Sequence, residues 1–247
     1  MWNALLWGTI AGSATMLGAL VVLKYSIPKK IIGYIMALGT GALIGATSYE
    51  LLEDAVSRSG FFQIAIGFLG GSLIFTFLDI VISRKGGHKR KHSNRDEFVE
   101  ENSEETSNVG VFIGSVMDTL PESAMIGMSL VGGKSVSIAL VVSIFISNIP
   151  EGISSTAGLK KSGYSNKKII VMWALVLFFS ALSSLAGAML LDSASDTIKA
   201  MVSSFTAGAI ISMIASTMMP EAFKDGGPIV GFITCVGVFT SLVLHHS

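Results

Sequence analysis

Apolar residues run through this chain in long unbroken stretches separated by brief polar punctuation. A helix that crosses the bilayer core needs about 20 mostly apolar residues. Eight segments satisfy that length, at 3–23, 31–52, 60–83, 108–131, 135–158, 169–191, 196–219 and 227–246. The pattern therefore predicts an all-α membrane protein with eight transmembrane helices. The apolar start at Trp2, with no basic stretch before it, reads as a first span and not as a cleaved leader. Connections are short except at 84–107, where HKRKHSNRDEFVEENSEE has the low hydrophobicity of a disordered segment.

Composition agrees with that layout. Of the 247 residues 51% are hydrophobic and only 14% charged, against roughly 25% charged in an ordinary soluble domain; the mean hydropathy is +0.67. The formal net charge is zero, which leaves no electrostatic case for nucleic acid. The single cysteine, Cys235, sits in an apolar run and excludes both an intrachain disulfide and a cysteine-cluster metal site. Basic residues are strongly one-sided. Of the 17 lysines and arginines, 14 follow the first, third, fifth and seventh spans, leaving only Arg58, Lys134 and Lys199 on the other side. The positive-inside rule then puts both termini outside and the 84–107 loop in the cytoplasm, as expected of an integral protein of the cell membrane. His88 and His92 lie in that loop among basic residues and read as part of a positive anchor.

The chain also repeats itself weakly. At a spacing of 167 residues, GTGALIGATSYELLEDA from Gly39 overlies TAGAIISMIASTMMPEA from Thr206, matching Gly41 with Gly208, Asp54 with Glu221 and Gly60 with Gly227. The two stretches lie in spans 2 and 7, which cross in opposite directions. At a spacing of 29, MDTLPESAMIG from Met117 overlies ISNIPEGISST from Ile146, in the antiparallel spans 4 and 5. Inverted repeats around broken helices mark alternating-access transporters. The inferred plan is three helices, a central pair, then three helices, or 3+2+3. It divides the chain into 1–83, the loop 84–107, the central pair 108–158, and 159–247.

The central pair carries the unusual chemistry. Asp118 and Glu122 are four residues apart, and Asn148 and Glu151 three apart, so each pair shares a helix face. Counted from a turn near Gly132, about 15 residues of rise on either side place them near the bilayer midplane. Each charge at that depth costs at least ~2.5–3.5 kcal/mol on insertion scales. Apart from Lys199 in the first turn of the seventh, no lysine or arginine falls within a span, so the counter-charge must be protons or a bound cation. Pro121 and Pro150 each remove a backbone bond and free the carbonyls of Met117 and Ile146, oxygens tolerated in a membrane where they line a cavity or bind an ion. The bland alternatives are a simple proline kink and a protonated, packed glutamate.

These residues resemble the ZIP (Zrt/Irt-like) family of divalent metal transporters, whose hallmark is His-Asn-x-Pro-Glu-Gly in helix 4 with a related motif in helix 5. Helix 5 here reads Ser147-Asn148-Ile149-Pro150-Glu151-Gly152, and helix 4 reads Asp118-Thr119-Leu120-Pro121-Glu122-Ser123. Glu50-Leu-Leu-Glu-Asp-Ala55 and the Pro-Glu-Ala of Pro220 to Ala222 add to the likeness. It covers nearly the whole chain and implies transport of a divalent metal towards the cytoplasm, held by Asp118, Glu122 and Glu151 with Asn148 assisting. The departures are as informative. Asp118 and Ser147 replace the family's histidines, Thr119 its asparagine, and Ser184-Leu185-Ala186-Gly187 a common Glu-Pro-x-Gly, which leaves a second metal without its ligands. Oxygen-only ligation suits manganese, iron(II) or magnesium; zinc also accepts carboxylates, and the resemblance keeps it first. Met117 and Met213 are soft ligands on paper and packing residues by habit.

Further pathway candidates are Glu50, Asp54 and Ser147 with, at the opposite end of the repeat, Glu221. Their bland reading is solvation at the interface, as it is for His245 and His246. No resident cofactor is expected, since the metal is cargo. The expected partners are the bilayer and metal ions, with a homodimer left open. A non-transporting sensor or structural protein on the same fold is the alternative. An enzyme is disfavoured because no nucleophile has a base within reach and no histidine lies in the interior of a span.

Overall fold

The computed structural model describes residues 1–84, 104–132 and 135–246. The loop expected at 84–107 and the histidines in it lie almost wholly outside the described residues. Those that are described form eight helices and no strand: α1 (Trp2–Lys24), α2 (Lys29–Arg58), α3 (Phe61–Arg84), α4 (Glu104–Ser129), α5 (Ile138–Lys161), α6 (Asn166–Asp192), α7 (Asp196–Gly226) and α8 (Val230–His245). Six of them, all but α4 and α8, are long and apolar enough to cross a membrane; α8 is apolar but shorter, and α4 carries the acidic motif. The chain is an integral membrane protein.

Several ends differ from the sequence reading. Helix α4 starts at Glu104 and not at 108. Helix α5 starts three residues late, at Ile138, where Ser137 caps it by accepting from the Leu140 amide. Helices α2 and α7 run on to Arg58 and Gly226 through π-helical turns at Thr47–Leu52 and Ile214–Met218. The two turns begin 167 residues apart, the spacing of the repeat. Gly132, Gly163 and Gly227 take positive φ at the turns after α4, α5 and α7.

Burial separates inner helices from outer ones. In the most apolar window of α5, 72% of residues are buried, and 67% in α2, against 22% in α3 and 28% in α6. The outer helices present Phe61, Leu73, Phe77, Phe178 and Leu190 outward, a surface that only lipid tails or another apolar partner can cover. Small residues let the helix pairs close, as is usual in membranes, where apolar burial alone does not hold helices together. A Cβ on Gly208 of α7 would lie 1.9 Å from the Phe68 carbonyl of α3, and one on Gly237 of α8 2.2 Å from the Leu38 carbonyl of α2. Likewise Gly127 of α4 meets the Ser184 carbonyl of α6, and Gly152 of α5 meets Thr15 of α1. The main pairings are thus α1 with α5 and α6, α2 with α5, α7 and α8, α3 with α7, and α4 with α6.

Two faces follow from the short connections. One, the terminal face, gathers the ends of α2, α4 and α8 and the starts of α5 and α7 around a shared cavity. The loop face gathers the ends of α1 and α5 with the start of α2.

Candidate metal site

Helix α5 is wedged between α1 and α2 at its Pro-Glu motif. Gly18 of α1 lies against the Ile149 carbonyl, and Gly39 of α2 lies so close that an added Cβ would be 2.5 Å from the Ser147 Cα. Side chains at these two glycines would push the flanking helices away from the proline-bearing stretch. Trp173 of α6 steadies the next turn by donating from Nε1 to Thr156 Oγ1 at 2.8 Å. Helix α4 is held through hydroxyls instead. Ser123 and Ser180 share a 2.6 Å hydrogen bond, Ser180 donates to the Gly8 carbonyl, and Ser183 donates to the Leu120 carbonyl beside Pro121.

Within this frame all four sequence-predicted ligands are buried. Asp118, Glu122 and Asn148 are each 1% exposed and Glu151 5%. No buried lysine or arginine is found among the described residues. Both polar atoms of the Asn148 amide lack a hydrogen-bond partner. Leaving such a group unmatched costs about 1–3 kcal/mol, and an oxygen-seeking cation is one kind of ligand that would match its Oδ1. Ser147 is also fully buried, and its hydroxyl donates back to the Ile144 carbonyl at 2.9 Å, so its oxygen lone pairs stay available. Met213 is buried in the main apolar cluster, and Met117 packs against it.

The two central helices touch each other sparingly; α4 leans on α6 and α5 on α1 and α2. Among the described residues no three His, Cys, Asp or Glu side chains are gathered closely enough to hold one metal. Asp118 and Glu122 lie on one helix, Asn148 and Glu151 on the other.

The pathway candidates fall into two groups. Glu50 and Asp54 line a cavity of about 360 Å³ at the terminal face, between α2 and the turn joining α4 to α5. Glu50 lies in the π turn of α2, and its Oε1 accepts from Ser137 Oγ at 2.7 Å and meets His245 Nδ1 at 2.8 Å. Asp54 is gripped by Arg58 Nε and Nη2 at 2.6 and 2.9 Å, and Arg58 reaches on to Asp196. Glu221, by contrast, is buried in the last stretch of α7, where it accepts a hydrogen bond from Ser154 of α5. Sequence reasoning did not find the roles of Ser137, Ser154 and His245. The 29-residue repeat did place Ser154 opposite Met125, but no residue pattern pointed to its partner.

No family model matches the chain. It is 22% identical over 219 residues, 87% of its length, to a protein of Arabidopsis thaliana named as a proposed zinc transporter, covering 34% of that protein. It is 25% identical over 143 residues, 53% of its length, to the zinc transporter ZTP29 of the same plant, covering 52% of it. The chain thus spans about a third and about a half of the length of these two curated relatives.

Proposed function

We propose that this chain is a ZIP-like transporter that carries a divalent metal, zinc first and manganese or iron(II) next, towards the cytoplasm. One observation carries the reading. Three carboxylates, Asp118, Glu122 and Glu151, are buried in apolar helices with an unmatched amide at Asn148 and no buried basic residue among those described. A divalent cation is drawn to such a set of buried oxygens, and Asp118, Glu122, Glu151 and Asn148 are the residues that would hold it. Two similar proteins named for zinc transport support the reading.

The proposed architecture is the 3+2+3 inverted repeat. It is supported by the π turns that begin at Thr47 and Ile214, and by helix pairings that persist when α1 is exchanged with α6, α2 with α7, α3 with α8 and α4 with α5. Both termini face outside in a cell membrane, and the bilayer is the principal partner; a homodimer would cover part of the exposed apolar surface. Protonation of the carboxylates competes with the cation, so uptake falls as the medium is acidified.

The test is metal uptake into proteoliposomes. Zinc or manganese accumulates with the intact chain, and Glu151→Ala abolishes it. Equal flux from both forms refutes the reading. One observation favours a second reading, a non-transporting sensor or structural protein on this fold: no three ligand-type side chains already form a cluster. It predicts metal binding without flux, or neither.

A further inference from the structure

The 29- and 167-residue repeats give each residue near one face a counterpart near the other. Under them Ser154 corresponds to Met125 and Glu221 to Asp54. The counterparts are in opposite situations. Near the terminal face, Met125 and Asp54 both line the open cavity, and Asp54 turns to Arg58 on its own helix. Near the loop face, Glu221 is 5% exposed and takes the Ser154 hydroxyl across the gap between α7 and α5; the loop-face cavity of about 330 Å³ lies on the other side of α5, against α1 and α2.

Helix packing shows the same asymmetry. Near mid-depth α2 closes on α5 through Gly39, and on the loop-face side it closes on the end of α7 through Gly33, where an added Cβ would be 2.6 Å from the Gly226 nitrogen. The counterparts of Gly39 and Ser147 are Thr206 and Asp118, which are bulkier, and α7 meets α4 over a much shorter stretch than α2 meets α5.

We propose that Ser154 and Glu221 form the loop-face gate of the transport path, and that the conformation described is closed there and open at the terminal face. This rests on the transport reading above. Residues 154 and 221 sit one turn or less beyond Glu151 and the π turn of α7, on two helices that must separate if an ion held between them is to leave at the loop face. The hydrogen bond spans that separation. A carboxylate released from Ser154 is then available to the departing cation.

Thiol labelling tests the gate without any metal. In a Cys235→Ala background, reporters are placed at Met128→Cys, in the terminal-face cavity, and at Ser147→Cys, buried at the α2–α5 contact. A water-soluble maleimide is applied to the purified protein. The first reporter labels quickly and the second slowly. Adding Ser154→Ala speeds the second by about tenfold or more, the population change expected from losing one hydrogen bond to a charged group, and slows the first. Ser154→Thr, which keeps the hydroxyl, restores the original rates. Glu221→Gln keeps an acceptor without the charge, gives a smaller change, and serves if Ser154→Ala does not fold. Unchanged rates at both reporters in a folded variant overturn the gate. If labelling shifts but proteoliposomes take up no metal, the gate stands and the transport reading falls.

Discussion

At the scale of single residues, Asn148 is the clearest case of chemistry set against stability. Its amide is 1% exposed and unmatched at both ends. Nothing in folding rewards that, so a stability gain is expected when the amide is replaced by an apolar group of similar volume. Asn148→Leu should stabilise the protein by about 1–2 kcal/mol, read by thermal unfolding in detergent, while metal uptake drops sharply. A destabilised variant would mean that the amide has a structural role instead. The carboxylates of the central motif were plain in the sequence because charge inside an apolar run is rare. The contacts of Glu50 were not: Ser137 is 87 positions away and His245 195, and neither distance follows any helical period.

At the scale of helices, the glycines decide how near the walls of the site can come. Gly152→Ala would bring a Cβ to 2.1 Å from the Thr15 carbonyl, a clash with backbone that cannot swing aside. A loss of about 3 kcal/mol, or failure to fold, is expected. Gly158 lies in the same helix with nothing within 4 Å of an added Cβ. Gly158→Ala should therefore be neutral or raise stability by about 0.5–1 kcal/mol, because alanine loses less backbone freedom on entering a helix. Unfolding curves of the two variants side by side separate packing from propensity. The helices themselves could be read from hydrophobic run length; the π turns could not. An extra residue per turn leaves no apolar period to detect, and the only hint was that the repeat paired those two stretches.

At the scale of the whole molecule, the relevant property is that the two faces differ. The terminal face holds a cavity with Glu50 and Asp54 on its wall, while at the loop face the cavity lies between α1, α2 and α5 and the α5–α7 gap is bridged by Ser154 and Glu221. If the cavity is the way in, Glu50→Gln should raise the KM for uptake several-fold with kcat nearly kept, because the change weakens capture and leaves the buried ligands alone. Equal loss in both parameters would place Glu50 in the transport step itself. The ion pair of Asp54 with Arg58 is half in solvent, so Arg58→Ala should cost no more than about 1 kcal/mol, measured by denaturation.

The sequence by itself determined the membrane class, most of the helices, the repeat and the identity of the buried acidic groups. Each of these follows from local composition, because the bilayer demands apolar length and penalises charge. Only the tertiary structure decided which helices touch, that α4 and α5 touch each other sparingly, and that Ser154 and Glu221 bridge α5 and α7 near the loop face. Those outcomes depend on close approaches such as Gly39 to Ser147 and Ser154 to Glu221, between residues far apart in the chain, and no local pattern encodes how closely two helices pack.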